Sequence, residues 1–153
     1  MVSGRRCLSF WVIILFLTVS MVLMLMGQTM AVFDYEFTVK LGLQEDVKEV
    51  GEFGVQMNRA FGAGDTVVYI PLMAISLVGL FLRKHWSLVT TAAVMGISAY
   101  WAIVIIFIMT FMPGVPNYSF EPGPGVWLFV VAHAVFGVWG LFYMIFRRDE
   151  LIR

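Results

Sequence analysis

Apolar residues gather in four long runs free of Asp, Glu, Lys and Arg: Leu8 to Met26, about Thr66 to Leu82, about Ser87 to Met112 and about Val126 to Phe146. Each is close to the roughly 20 residues an α-helix needs to cross about 30 Å of hydrocarbon. A helix satisfies its own backbone hydrogen bonds in lipid, and none of the runs shows the period-two alternation of a membrane barrel strand. The pattern predicts an all-α membrane protein, a four-transmembrane-helix up-and-down bundle with an extra-cytoplasmic amphipathic helix between spans 1 and 2. The 153 residues are expected to form a single integral membrane domain.

The connection 27–64 has its own period. Leu43, Val47, Val50, Gly54, Met57 and Phe61 recur at spacings of three and four, which predicts an amphipathic helix of about 17 residues. Gly62 and Gly64 then offer a C-terminal stop. The opposite face carries Gln44, Glu45, Lys48, Glu49, Glu52 and Arg59. A face this acidic suits packing across the outer mouth of the bundle, or against a partner, better than anchoring on a lipid surface. Upstream, Ala31 to Val39 alternates in polarity and reads either as a short strand or as an extended arm with aromatic side chains at headgroup level. The link 113–125 holds four prolines and three glycines and is expected to be a stiff, turned loop.

Composition removes whole classes of function. The chain is 61% hydrophobic and 13% charged, whereas soluble domains carry about 25% charged residues, so a water-soluble fold is excluded. Ten basic residues balance ten acidic ones, which gives no reason to expect a nucleic-acid partner. The single cysteine, Cys7, excludes an internal disulfide and a cysteine-rich metal cluster.

The placement of charge predicts orientation. Arg5, Arg6, Arg83, Lys84, Arg147, Arg148 and Arg153 lie on one side with only Asp149 and Glu150 as acids. Lys40, Lys48 and Arg59 lie on the other with Asp34, Glu36, Glu45, Asp46, Glu49, Glu52, Asp65 and Glu121. The positive-inside rule then puts both termini in the cytoplasm of a multi-pass protein of the cell inner (plasma) membrane. Leu8 to Met26 is longer than the apolar core of a secretory signal, and Gly27-Gln28-Thr29 is a poor cleavage site, so the first helix is expected to be retained.

Within the spans, small residues mark expected helix contacts: Ala92 and Gly96 with Tyr100 a turn further on, and His133, Gly137 and Gly140. Polar residues inside a membrane are expensive and often functional. Asp65 and Tyr69, four apart, share a helix face. With Tyr100 and His133 they form the candidate ligand-binding set, an outward-opening pocket roofed by the amphipathic helix and flanked by Gln28, Asn117 or Glu121. Each has a plainer role: Asp65 as the N-cap of span 2, His133 as donor to a neighbouring helix, Tyr69 and Tyr100 as packing residues. Pro71, in the first turns of span 2, costs little there.

Catalytic and metal chemistry fits poorly. The two histidines, His85 and His133, fall on opposite predicted sides, which disfavours a bis-histidine haem, and a metal centre wants three or four close ligands. No Gly-x-Ser-x-Gly elbow, phosphate loop or His-Glu-x-x-His is present. Neither cofactor nor metal is expected.

The run Gly64-Asp65-Thr66-Val67-Val68-Tyr69-Ile70-Pro71-Leu72, followed by Gly79-Leu80 and Arg83-Lys84-His85-Trp86, resembles a phrase in small uncharacterised four-helix membrane proteins of prokaryotes. The resemblance covers these residues alone and implies no activity.

The leading expectation is a non-enzymatic protein of the lipid bilayer that binds a small hydrophobic molecule, a lipid or a partner through an outward-facing pocket. A second is an accessory subunit of a larger membrane complex, or a homo-oligomer. A third is a proton-linked transporter or membrane enzyme using Asp65 and His133, which requires those side chains within hydrogen-bond reach or bridged by one water.

Overall fold

The computed structural model describes residues 6–152, so Arg5 and Arg153 of the charge pattern lie outside the described residues. Those residues are helical, without strands. Four helices are long and apolar enough to cross a membrane: Leu8–Phe33, Val47–Phe81, Trp86–Phe111 and Pro124–Phe146.

The first begins as α1 (Leu8–Met24), widens through a π-turn at Leu25–Thr29 and continues as α2 (Met30–Phe33). It therefore runs past the expected end at Met26. Asp34 breaks it with φ −143° and then caps α3 (Tyr35–Lys40), accepting from the Phe37 N–H at 3.0 Å. The strand or extended arm expected over Ala31 to Val39 is thus helical, because this cap starts a new turn inside it. Gly42 at φ 69° closes α3, and the Leu43 N–H returns to the Thr38 carbonyl at 3.0 Å.

The second helix departs most from expectation. It starts at Val47 under a capping box: Asp46 accepts from the Lys48 N–H at 2.8 Å and Glu49 accepts from the Asp46 N–H at 3.0 Å. From there α4 (Val47–Gly64), a π-turn at Asp65–Tyr69 and α5 (Ile70–Phe81) form one helix of 35 residues. Gly62 and Gly64 do not stop it, and Asp65 is not an N-cap: its backbone is helical at φ −62°, ψ −40°. The amphipathic helix and span 2 are continuous.

Two local features make that continuity workable. A π-turn directly precedes Pro71, whose ring would crowd a regular turn and which has no N–H to give. Gly51, at φ 67° and ψ 171°, kinks α4. The kink re-phases the helix, so its buried residues are Val55 and Gly62, while Val47 and Met57 of the expected stripe are exposed. The Pro/Gly loop docks there, with the Ser119 N–H donating to the Glu49 carbonyl at 2.7 Å.

The other two helices are regular. A tight turn with Arg83 at φ 53° joins α5 to α6 (Trp86–Phe111), and α7 (Pro124–Phe146) follows the Pro/Gly loop with Pro at its first position. The helix α6 packs along both α5 and α7, and α5 also packs on α1. Phe16 of α1 stacks on Phe136 of α7 at 5.4 Å, which brings the first and last helices together. Gly137 and Gly140 are contact residues as expected, against Ala99 and Met95 of α6. Gly96 is not: a side chain there would meet nothing within 4 Å, because α6 turns Met95 and Ala99 inward instead.

Candidate functional site

At the end of the helices opposite the Arg83 turn, a cavity of about 470 Å³ opens between α1, α4, α6 and α7. That lies within the roughly 300–1,000 Å³ typical of small-molecule sites. Its apolar wall includes Met24, Phe61, Trp101, Ile105, Phe129 and Val130. Its polar wall is Gln28, Gln44, Glu45 and Asn58.

The π-turn in the first helix builds part of this wall. It contains Gly27 and Gln28, and a widened turn loosens the regular carbonyl ladder. Gln44 answers by donating from Nε2 to the Gly27 carbonyl at 3.2 Å, which ties the linker over the turn. Asn58, on the inward face of α4, donates from Nδ2 to Glu45 Oε2 at 2.7 Å and to the Tyr35 hydroxyl at 3.0 Å. The Tyr35 hydroxyl in turn donates to the Glu45 carbonyl at 3.1 Å. One network thereby fixes α3, the linker and α4 around the opening. Burial pushes the Glu45 carboxyl above its ordinary value; hydrogen bonds to its own backbone and from Asn58 oppose the shift, and nearby Glu49 adds to it.

The four residues expected to bind ligand do not line this cavity. His133 lies immediately behind its wall. Its ring is 4.2 Å from Phe129, 5.8 Å from Trp101 and 5.3 Å from Phe16, centroid to centroid, and the first two of these line the cavity. Its Nδ1 bonds the Phe129 carbonyl four residues back at 3.0 Å, while Nε2 is buried without a partner. The expected donation to a neighbouring helix is thus replaced by one within α7.

Asp65 and Tyr69 are both buried on the same face of the second helix. The Tyr69 hydroxyl makes a short hydrogen bond with Ser98 of α6, and Asp65 Oδ2 is buried without a partner. No hydrogen bond joins Asp65 to His133. Next to Asp65, Thr66 donates to the Gly62 carbonyl at 2.7 Å and pairs with Thr29 at 2.9 Å, so the two π-turns meet face to face. Tyr100 points outward with 72% of its surface exposed.

No family model, curated protein or solved structure matches the chain. The chemistry is therefore read from the cavity alone. Among the described residues no three His, Cys, Asp or Glu side chains converge to hold a metal. Gln44, Glu45 and Asn58 are the wall residues that sequence reasoning missed as a site. Gln44 and Glu45 sat on the polar face of the expected amphipathic helix, and the signal that would have found them is the capping box at Asp46 to Glu49. It starts the helix four residues later than Leu43 and leaves Gln44 and Glu45 in a linker free to fold inward.

Proposed function

We propose that this chain is an integral membrane protein, with both termini cytoplasmic, that binds a small and mainly apolar molecule in the cavity at the outer end of an up-and-down helical bundle. The observation that carries the reading is the cavity itself, an apolar chamber with four polar side chains gathered on one wall. The outward faces of the long helices support insertion in lipid: Leu15, Val89, Leu128 and Phe146 are all at least 66% exposed, a surface water would not tolerate. The charge pattern supports the orientation, with Arg6, Arg83, Lys84, Arg147 and Arg148 at the end away from the cavity.

Native mass spectrometry of the protein released from a mild detergent tests this. A small molecule retained by the wild type and lost from Val126→Trp, which puts an indole into the cavity, is the expected result. Both proteins appearing only at their own sequence masses, free of ligand, would sink it.

A second reading, a partner or a second copy held at the outer surface, is favoured by Phe53 and Met57. They lie four apart on one face of α4 and are 76% and 44% exposed. Phe53→Ser with Met57→Ser changes the size of the detergent-extracted particle if this face is an interface, and leaves it unchanged if it is not.

A further inference from the structure

Among the described residues, Glu45 is the single ionisable side chain that lines the proposed cavity. It is the first of three acids around the start of α4, and the other two are engaged by that helix: Asp46 accepts from the Lys48 N–H, and Glu49 accepts from the Asp46 N–H. Glu45 has no such task. Its carboxylate accepts from Asn58 and from its own backbone, neutral donors that leave its charge uncompensated. Lys40, Lys48 and Arg59 are the basic residues at this end of the bundle. None of them lines the cavity or forms an ion pair with Glu45, and Arg59 donates instead to the Val32 carbonyl at 3.1 Å. The charge that does act on Glu45 is that of Glu49, of the same sign.

Glu45 is half-buried, so a molecule filling the cavity removes water that still solvates it. A hydrocarbon or an alcohol would leave the carboxylate charge buried alone, and an acid would add a second charge of the same sign. A cation replaces the lost water with the opposite charge. Gln28, whose side chain makes no hydrogen bond, is free to turn its oxygen toward a second N–H of that cation. Phe61, Trp101, Phe120 and Phe129 supply apolar wall for the rest of the molecule, and aromatic faces attract cations. A zwitterionic phospholipid headgroup is a poorer match, because no Lys, Arg or His lines the cavity to meet its phosphate. Resting on the cavity reading, we infer that the molecule held there is a single-chain amphiphile with one positive charge, a protonated lipophilic amine whose ammonium pairs with Glu45.

The test compares three probes of one chain length. Detergent-solubilised protein at neutral pH is equilibrated separately with decylamine, 1-decanol and decanoate, and the amount retained per protein is measured for the wild type, for Glu45→Gln and for Val126→Trp. Gly125→Leu serves as a second filled variant, because a Cβ there meets nothing within 4 Å. Glu45→Gln keeps an oxygen for Asn58 and removes only the charge, so uptake into the micelle is the same on both sides of that comparison. Expected is about a tenfold fall in decylamine retention in Glu45→Gln, with decanol retention unchanged and decanoate retention raised. Decylamine held equally by the wild type and Glu45→Gln, above the filled variants, overturns the ammonium assignment and leaves the cavity reading standing. Greater retention of decanol or decanoate than of decylamine by the wild type also overturns it. No retention of any probe above the filled variants removes the cavity reading and the assignment together.

Discussion

The seam between α6 and α7 and the seam between the first two long helices solve the same packing problem in opposite ways. In the first, both helices are regular, and small residues let the backbones approach until a Cβ on Gly137 would sit 2.5 Å from the Ala99 nitrogen. In the second, both helices are widened by π-turns, at Leu25–Thr29 and Asp65–Tyr69, and the contact is partly polar through Thr29 and Thr66. Close packing of small residues is the main attraction available between helices in lipid, while polar pairs there add about 1 kcal/mol or less. The tight seam is built to be rigid. The widened one gives up ladder hydrogen bonds and, on its far side, opens the cavity. The difference places stability along α6 and α7 and the candidate ligand site next to the irregular pair.

The largest effect expected from that contrast is at Gly137. Its added methyl would meet the Ala99 nitrogen and Cα and the Met95 carbonyl, all backbone and none free to turn aside. Gly137→Ala should cost about 2–3 kcal/mol of stability, read by thermal or denaturant unfolding in detergent. Gly140→Ala meets only the flexible Met95 side chain and should cost less than half as much. Equal costs at the two positions would mean that the α6–α7 backbones can separate, and the contrast with the other seam would fail.

Gly62 is the corresponding position on the widened side. A Cβ there would lie 2.6 Å from the Gln28 carbonyl oxygen, again backbone, but that carbonyl belongs to a π-turn that can shift. Gly62→Ala should cost about 1–2 kcal/mol, less than Gly137→Ala. It should also weaken ligand retention, because moving Gln28 moves the cavity wall. A variant as unstable as Gly137→Ala would show that the π-turns are as stiff as the regular helices.

The sequence made the two seams unequally legible. Four apolar runs free of charge announce four helices by length alone, and Gly137 and Gly140 announce a close contact by spacing. Those features depend on local composition and on one helix face. Continuity of the second helix was hidden, because two glycines and an aspartate imitate a stop followed by a fresh N-cap, and only tertiary packing decides that the chain continues through a π-turn. The Gly51 kink was equally hidden. With it, only part of the expected stripe faces inward: Phe61 lines the cavity together with Asn58, while Val47 and Met57 are exposed. Asp65, Tyr69 and His133 were recognised as buried polar residues, but the partners that Tyr69 and His133 find, Ser98 of α6 and the Phe129 carbonyl of α7, are set by tertiary packing and rotamer. Tyr100 lies away from the cavity for a simpler reason: its helix contacts were expected on the Gly96 face, and α6 presents the Met95 face.

Acidity should act on the widened side through Glu45. Burial holds the Glu45 carboxyl above its ordinary value of 4.5, so the folded state keeps the proton more firmly than the unfolded chain does. That contribution is fully present below the ordinary value and is lost as pH rises through the raised one. Hydrogen-exchange protection of the linker and α3 should therefore decline from mildly acid toward neutral pH. Glu45→Gln should flatten the decline. A decline shared equally by both seams would assign the titration to some other group.

The smallest effect is expected at Tyr100, and it sharpens the contrast by exclusion. The side chain is 72% exposed on the face of α6 turned away from Met95 and Ala99, and no hydrogen bond or ring contact engages it. Its neighbours along the sequence, Ala99 and Trp101, pack on α7 and line the cavity respectively, so Tyr100 belongs to neither region. Tyr100→Phe should change stability by less than about 0.5 kcal/mol and leave ligand retention unaltered. Trp101→Phe, one residue on, should lower retention, because it shortens a cavity-lining ring that also covers His133. If Tyr100→Phe weakens retention as much as Trp101→Phe does, the hydroxyl must reach the ligand's neighbourhood from outside, and the outer face of α6 would have to be counted as a third functional region.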